Sequence, residues 1–372
     1  MERRRFIGGA GLAGILASGM APAVQAGQAI RWRLASRFPK VLDIPHGGVQ
    51  TFTQVVRDIS GGRFEIAIFN ADDLPAASGV LDGVQRGSIE CGHTSGNFYL
   101  DKDETFALDA SIPFGLGTRQ MNAWMQEGQG LELLREFYKT HGVVNFPMGN
   151  AGTQTGGWFR KPIRSAADFK NLKIRITGLG AQVFKRLGAV TSNVPGGEIY
   201  QALERGQLDA AEWSGPYDDL KLGVDRIAQN HAYPGWWKSC GQMSLIINQR
   251  AYDALTNENK AIIEAAAQQA HNDIQASYDA HNATALRELV AGGARLMPFP
   301  KTVLDAAYKT AMDLYAELGK KNPRWKKIYA SYAHFLNDHA WSWGYSEMAF
   351  ASYMHGKAVE NTRREATLKS RR

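Results

Sequence analysis

The sequence predicts an α/β protein of two domains followed by a long helical region. Three observations support this fold class. The chain has 372 residues, and single hydrophobic cores stop growing at roughly 250–300 residues. Short apolar runs alternate with helical patterns up to about residue 255, which is typical of α/β proteins. Beyond that point the pattern is almost entirely helical.

The predicted strands are short runs that are apolar or that alternate between polar and apolar side chains. They lie at 31–35, 63–69, a short run through Ile89, 143–146, 172–176, 209–213 and 244–248. The predicted helices among them lie at 50–59, 80–84 and 120–138, with two more starting near Gly180 and Gly197. The loop-rich segment 149–157 is the expected first crossing between domains, and the strand at 244–248 is expected to return the chain to the first.

The C-terminal region is expected to form three helical blocks. Thr256 caps the first, which runs to about Val290 and is long enough to brace two domains. The others lie at about 303–318 and from about Trp325 towards the tail. The last block carries many large apolar side chains, namely Trp341, Trp343, Tyr345, Met348, Phe350, Tyr353 and Met354. Such side chains must pack against something, and a second subunit would supply the surface.

The N-terminus has the three parts of a secretory signal. Arg3-Arg4-Arg5-Phe6-Ile7 is followed by an apolar, Gly/Ala-rich run, and Val24-Gln25-Ala26 matches a cleavage site with small residues. The paired arginines with a nearby Phe favour a twin-arginine signal, with an ordinary Sec signal as the alternative. We expect cleavage near Ala26 and a mature chain that works outside the cytoplasm. No later stretch of the sequence is apolar and long enough to span a bilayer.

The distribution of charge argues against a nucleic-acid partner. The formal net charge is +7, but residues 1–26 carry +2 and residues 361–372 carry +4, so the body between them is nearly neutral. Basic ends on a neutral body do not make a groove for a polyanion. The sequence also shows no RNA- or DNA-binding module.

The sequence contains none of the common catalytic motifs that we can name. It has no Gly-x-Ser-x-Gly elbow, no His-Glu-x-x-His, no phosphate-binding P-loop and no Cys-x-x-Cys. Its two cysteines, Cys91 and Cys240, are too few for a disulfide framework and are interpreted as small buried apolar residues, although a bridge between them stays open. These absences favour a binding protein over an enzyme.

Isolated polar residues stand among glycines and aromatic residues in four segments. They are Gln154 in a Gly-rich loop, Arg175 inside an apolar strand, Glu212 before Trp213, and Lys238 after two tryptophans. A buried Arg requires an anionic partner, and its planar fork suits a carboxylate. An internal salt bridge between Arg175 and an acid such as Glu212 would meet the same requirement. Taken together, the four segments predict a cleft that binds a small anion.

At these segments the chain resembles the extracytoplasmic solute-binding subunit of TRAP transporters (the DctP type), and within it the subgroup that binds 2-oxo acids such as pyruvate. The matching strings are Trp32-Arg-Leu-Ala-Ser-Arg-Phe-Pro-Lys40, Gly156-Gly-Trp-Phe-Arg160, Glu212-Trp-Ser-Gly-Pro-Tyr-Asp-Asp219 and Tyr233-Pro-Gly-Trp-Trp237. The resemblance covers nearly the whole mature chain. It implies a two-domain periplasmic solute-binding fold with a hinge, a long bracing helix, a C-terminal helical extension and a homodimer that exchanges C-terminal helices.

The resemblance divides the chain into four parts. Residues 1–26 would be the signal peptide. Residues 27–150 with about 242–255 would form the first α/β domain, and residues 151–241 the second. Residues 256–372 would brace both domains and supply the helix exchanged in a dimer.

The family's binding site can be carried over to individual residues. Gln154 and Arg175 would contact the substrate carboxylate, while Trp213, Trp236 and Phe98 would shape the pocket. In metal-using relatives, residues matching Glu212, the backbone carbonyl of Trp213 and Gln154 hold a sodium or calcium ion that bridges to the substrate. An acid follows the paired tryptophans in those relatives, whereas this chain has Lys238.

Lys238 leaves two hypotheses open. In the first, its ammonium takes the electrostatic place of the metal, pairs with Glu212 and donates to the substrate. In the second, it points to solvent, and Gln154, Glu212 and Trp213 still hold a cation.

The sequence thus predicts a periplasmic receptor that captures a small organic acid anion, a 2-oxo or 2-hydroxy monocarboxylate such as pyruvate, for TRAP membrane permease subunits. It would not be an enzyme. The alternatives are the same receptor binding a dicarboxylate or a bulkier carboxylate, a sensor-type binding protein, and an exported enzyme. An enzyme would need a second acid beside Glu212, and Asp218 and Asp219 are interpreted instead as caps of a helix start.

Overall fold

The structure is a computed structural model that describes residues 29–70 and 79–370. The predicted signal and its cleavage site lie outside the described residues. The described strands are β1 (Ile30–Ser36), β2 (Phe64–Asn70), β3 (Cys91–Thr94), β4 (Val143–Asn150), β5 (Gly157–Phe159), β6 (Lys173–Arg175), β7 (Val190–Ser192), β8 (Ala210–Ala211), β9 (Asn230–Tyr233), β10 (Gln242–Asn248) and β11 (Arg295–Pro298).

The α-helices lie between these strands and fill the C-terminal part of the described chain. They are α1 (Asp43–Ile59), α2 (Val80–Gln85), α3 (Thr118–Glu127), α4 (Gly130–Lys139), α5 (Gly178–Arg186), α6 (Gly196–Glu204), α7 (Pro216–Leu222), α8 (Gln249–Asp253), α9 (Asn257–Ala291), α10 (Lys301–Lys321), α11 (Pro323–Tyr345) and α12 (Glu347–Ser370). Within the described ranges no helix is both long and apolar enough to cross a membrane.

The strands form two separate sheets. The first has the order β2-β1-β3-β10-β4, with β10 antiparallel to both of its neighbours. The second has the order β11-β9-β5-β8-β6-β7. The α/β fold class is therefore confirmed, and β10 returns the chain to the first sheet as expected. The domain boundaries remain a prediction, although β11 shows that the segment after residue 256 also contributes a strand.

Two crossing segments join the sheets, and they are hydrogen-bonded to each other. Residues 151–156 lead from β4 to β5, and residues 234–241 lead from β9 back to β10. The backbone N–H of Gln154 donates to the carbonyl of Lys238 at 3.1 Å, and that of Gly235 donates to Thr155 at 3.0 Å. The crossings therefore bring Gln154 and Lys238 to the junction of the two sheets.

Helix α9 braces both sheets, as predicted. Its 35 residues span about 50 Å, and Thr256 caps it by accepting a hydrogen bond from the Asn259 N–H. Towards the first sheet, the Gly149 N–H donates to His271 Nδ1 at 3.0 Å. Towards the second, Tyr278 donates to Asp218 at 2.9 Å.

Three predicted elements differ from the structure for local reasons. The first helix begins at Asp43 instead of residue 50, because Pro45 is tolerated in a first turn. The predicted helix 120–138 is two helices, broken at Gly128 and at Gln129, whose φ is +67°. The strand expected through Ile89 begins only at Cys91, because the backbone N–H of Ile89 still donates to the carbonyl of Gly83 in α2.

Close packing explains the first of these differences. The helical pattern is weak at Gly48, yet a Cβ atom there would lie only 2.3 Å from the side chain of Ile274 on α9. The glycine therefore allows the two helices to approach closely.

Cys91 and Cys240 are both buried and free, which confirms their interpretation as small core residues.

Candidate functional site

An Arg–Glu ion pair lies at the centre of the site. Arg175 ends β6, and Glu212 follows β8, the neighbouring parallel strand. Arg175 Nη1 donates to the Glu212 backbone carbonyl at 2.9 Å and to Oε1 at 3.1 Å. The two residues are only 6% and 2% exposed. Burial lowers the pKa of the Arg175 guanidinium, and the charges of Glu212 and Asp219 oppose that shift.

The remaining contacts of Arg175 fix the plane of its guanidinium. Its Nε donates to the backbone carbonyl of Val194 at 3.1 Å, and its guanidinium carbon lies 4.9 Å from the centre of the Trp213 ring. Among the described residues, Nη2 donates to no protein acceptor. The guanidinium is therefore held in place with two N–H donors left over for a ligand.

Gln154 connects the ion pair to a tryptophan that the sequence analysis did not single out. Its Nε2 donates to Glu212 Oε2 at 2.9 Å, and its Oε1 accepts from the indole of Trp237 at 2.8 Å. Thr177 also donates to Glu212 Oε1, at 3.4 Å. Both oxygens of Glu212 therefore already accept hydrogen bonds, and the structure brings Gln154, Arg175 and Glu212 into one cluster.

The predicted aromatic walls occupy three different environments. Trp213 is half-buried over Gly196, where a Cβ atom would lie 2.4 Å from the indole ring. Phe98 is 39% exposed and lies on the side of the first sheet, beneath the guanidinium of Arg37. Trp236 is stacked in the core between Phe114 and Phe184, at centroid distances of 5.4 and 4.9 Å.

Of the paired tryptophans, Trp237 and not Trp236 has its N–H on the polar cluster. The two neighbouring side chains point in different directions, and the aromatic partners of Trp236 hold it in the core. The sequence string contains no signal that separates the two. The indole N–H of Trp213 is buried and has no hydrogen-bond partner among the described residues.

Lys238 does not form the predicted pair with Glu212. Its side chain is half-buried, and its ammonium makes no ion pair with any carboxylate in the described part of the chain. The physical reason is that Arg175, Gln154 and Thr177 already occupy both carboxylate oxygens of Glu212.

Two of the side chains predicted to hold a cation, Glu212 and Gln154, make hydrogen bonds with protein groups in this structure. The oxygens of Glu212 and the amide oxygen of Gln154 all face hydrogen-bond donors. Within the described ranges, no group of three or more His, Cys, Asp or Glu side chains could hold a metal. Calcium needs six to eight oxygen ligands. The unpaired N–H groups of Arg175 and Gln154 at the cluster suit an anion.

Two further buried acids, Asp218 and Asp219, lie beside the cluster. Asp219 accepts hydrogen bonds from the Trp158 indole at 2.9 Å and from the Ser214 N–H at 3.2 Å, and Asp218 accepts from Tyr278. Both acids are fully buried, and burial raises the pKa of Asp219 to about 7. Both acids lie in the first turn of α7, which confirms their predicted place at a helix start, and Asp219 accepts the Ser214 N–H there, although the N-cap residue itself is Gly215.

The stability of the protein is expected to depend on pH through Asp219. Its folded pKa of about 7 exceeds the usual 3.8, so the folded protein holds this proton more tightly than the unfolded chain. The contribution of Asp219 to the free energy of unfolding therefore falls as pH rises from about 4 to about 7 and then stays constant. Because the folded and the usual pKa differ by about three, the decrease is about 4 kcal/mol.

Urea unfolding of Asp219→Asn between pH 4 and 8 checks this expectation. The unfolding free energy of wild type minus that of the variant should fall as pH rises from about 4 to about 7, because the buried His93, His231 and His271 titrate alike in both proteins. Asp305→Asn, at an exposed surface pair, is the control and should keep the wild-type slope. Identical slopes for wild type and Asp219→Asn would contradict the expectation.

Two sheets joined by hydrogen-bonded crossings, with polar side chains gathered at their junction, are the architecture of a solute-binding receptor. The family profile of bacterial extracellular solute-binding protein, family 7 (DctP), matches residues 36–322, and the chain belongs to this family. A monocarboxylate 2-oxoacid-binding periplasmic protein of Nostoc is 42% identical over 313 residues, which cover 84% of this chain and 86% of the relative.

Two solved structures of TRAP solute-binding proteins are also similar. The protein of Bordetella bronchiseptica, a dimer with calcium and picolinate in one site, has 40% identity and a TM-score of 0.86 over 90% of this chain and 99% of its own. The protein of Pseudoalteromonas atlantica, with bound sodium and pyruvate, has 32% identity and a TM-score of 0.83 over 87% and 99%.

These findings confirm several predictions from the sequence. The chain is a TRAP solute-binding receptor, a class that works with membrane permease subunits, and it is not an enzyme. Its similar structures hold sodium or calcium beside an organic acid.

Proposed function

We propose that this receptor captures a 2-oxo or 2-hydroxy monocarboxylate such as pyruvate in the periplasm and delivers it to TRAP permease subunits. The observation that carries the proposal is the set of unpaired donors at one buried cluster. These are Arg175 Nη2, one hydrogen of Gln154 Nε2 and the indole N–H of Trp213. The names of the Nostoc and Pseudoalteromonas relatives support the choice of ligand.

The proposed binding geometry follows from the charges of these groups. The positive charge of Arg175 is already balanced by Glu212, so the affinity comes from directed hydrogen bonds more than from net attraction. The carboxylate would accept from Arg175 Nη2 and Gln154 Nε2, in a site where low polarity strengthens each bond. Trp213 and Phe98 would close the site on the two sides. No covalent bond is made or broken.

Lys238 is proposed to point its ammonium towards the bound ligand and to make a cation unnecessary. The hydrogen bonds that the oxygens of Glu212 and Gln154 already accept support this version. In the alternative, Glu212, the Trp213 carbonyl and Gln154 rearrange to hold sodium or calcium, as the ions in similar structures suggest. With Arg175 and Lys238 both cationic, a dicarboxylate or a bulkier carboxylate is the alternative ligand.

Thermal unfolding of the mature, chelator-treated protein with a panel of acids tests the function. The panel contains pyruvate, longer 2-oxo acids, 2-hydroxy acids, dicarboxylates and neutral sugars, each with and without sodium or calcium. A ligand at one hundred times its Kd adds about 2.7 kcal/mol, which raises the Tm by several degrees. A rise with a 2-oxo or 2-hydroxy monocarboxylate supports the proposal, and a rise only with sugars or with no compound contradicts it.

Lys238→Glu should convert a cation-independent receptor into a cation-dependent one. The substitution places an acid where the metal-using relatives have one, so binding should weaken at least about tenfold in chelator and recover with calcium. Wild-type affinity should be the same in both conditions. Titration calorimetry measures both, and Lys326→Glu at an exposed position of α11 controls for the change in net charge. A wild-type protein that binds only with the cation would overturn the metal-free version.

The protein is further proposed to be a homodimer built through α11 and α12. The end of α11 and the start of α12 expose Trp341, Tyr345, Phe350 and Tyr353, each by more than 60%. Large exposed apolar patches mark interaction surfaces, and the similar Bordetella structure is a dimer.

A further inference from the structure

The hydrogen bond between Trp237 and Gln154 decides which way the Gln154 amide faces. An indole N–H can only donate, so the amide atom that faces Trp237 Nε1 at 2.8 Å must be the oxygen. On the other side, Glu212 is engaged as a charged acceptor and faces the amide nitrogen at 2.9 Å. A turned amide would face donor against donor on one side and acceptor against acceptor on the other. Both neighbours therefore select the same orientation.

The Trp237 ring has little freedom to move away from this bond. It is 4% exposed and lies against Phe184 and Phe299, at centroid distances of 5.5 and 6.1 Å. The backbone also approaches it closely, because a Cβ atom at Gly157 would lie 3.2 Å from the ring and one at Gly180 would lie 2.9 Å from the Trp237 Cβ. Packing thus holds the indole N–H against Gln154.

We propose that Trp237 is a positioning residue for ligand recognition, acting through Gln154. Its indole N–H donates to the amide oxygen of Gln154. The group that Gln154 offers to a ligand is therefore the remaining N–H of Nε2. This inference rests on the proposed function, because it concerns the same site. It makes Trp237, and not its neighbour Trp236, the functional member of the tryptophan pair.

Trp237→Phe tests the role, because it keeps an aromatic ring and removes only the donor side of the indole. Pyruvate affinity measured by calorimetry should weaken about tenfold, since Gln154 then loses one of the two hydrogen bonds that fix its amide, and the remaining bond to Glu212 leaves the amide free to tilt away from the carboxylate. Trp325→Phe is the matched control, because Trp325 is a buried tryptophan of α11 whose indole N–H has no partner among the described residues, and its affinity should stay within about twofold of wild type. Equal affinities of wild type and Trp237→Phe would overturn the inference.

A double-mutant cycle separates positioning from general loosening of the pocket. In a Gln154→Met background, adding Trp237→Phe should change the affinity less than about twofold, because the group that Trp237 orients is gone. A repeated tenfold loss would mean that Trp237 acts independently of Gln154, and would contradict the inference.

A ligand-free measurement keeps this inference distinct from the proposed function. In the proton NMR spectrum, Gln154→Met should move the indole N–H signal of Trp237 upfield and leave that of Trp236 unchanged. An unmoved Trp237 signal would overturn the inference whatever ligand the protein binds. Failure of wild type to bind any monocarboxylate would contradict the proposed function alone.

Discussion

Arg175→Met is expected to abolish detectable ligand binding and to lower the free energy of unfolding by about 3–5 kcal/mol. The substitution removes the paired donors offered to the carboxylate. It also leaves the Glu212 carboxylate, which is 2% exposed, without its positive partner. An isolated charge in that environment is costly, because only Gln154 and Thr177 would still donate to it.

A second variant separates the binding defect from the folding defect. Arg175→Met combined with Glu212→Leu removes both charges, so urea unfolding should show most of the lost stability recovered while calorimetry still detects no binding. Arg186→Met is the matched control, because Arg186 forms a partly exposed pair with Glu317, and such pairs contribute at most about 1 kcal/mol. Near-normal affinity of Arg175→Met would place the ligand elsewhere.

Substituting Trp341, Tyr345 and Phe350 together with glutamine is expected to convert a dimer into a monomer. These side chains are 72%, 77% and 67% exposed in the single chain, so a dimer would take most of its buried apolar area from them. The mass in solution, measured by light scattering at micromolar concentration, should fall by half.

The control for this prediction is Tyr308→Gln. Tyr308 is an aromatic residue of α10 that is 51% exposed and lies outside the proposed interface. The Tyr308 variant should remain dimeric. A wild-type protein that is already monomeric at tens of micromolar would contradict the proposed dimer, and an unchanged dimer in the triple variant would place the interface on another surface.

Most of the architecture can be predicted from local patterns in this sequence, because apolar periodicity decides whether a segment forms a strand or a helix. Helix α9 is the clearest case, since Thr256 is a residue type that begins helices and Gly292 is one that ends them. The break at Gly128 and Gln129 was missed, because nothing local shows that Gln129 adopts a positive φ. The strand at 295–298 was missed for a related reason, since its pairing with β9 is a long-range contact.

In the candidate site, too, the residue types could be predicted from the local sequence, whereas the contacts between distant residues could not. Gln154, Arg175 and Glu212 could be predicted because polar residues among glycines and apolar strands are conspicuous. Their mutual hydrogen bonds could not, because they join residues up to 58 positions apart. Whether Trp236 or Trp237 faces the cluster depends on the backbone conformation of this segment, which the local sequence does not reveal. Lys238 is not paired with Glu212 in the structure, because Arg175, Gln154 and Thr177 donate to the Glu212 carboxylate instead.

A crystal structure of the protein with pyruvate tests the central claim most directly. The account predicts the pyruvate carboxylate within hydrogen-bond distance of Arg175 Nη2 and Gln154 Nε2, with the Trp237 indole still donating to Gln154. The same map shows whether the Lys238 ammonium or a cation lies against the keto oxygen. Pyruvate bound away from Arg175, or a cleft that stays free of pyruvate at saturating concentration, would contradict the account.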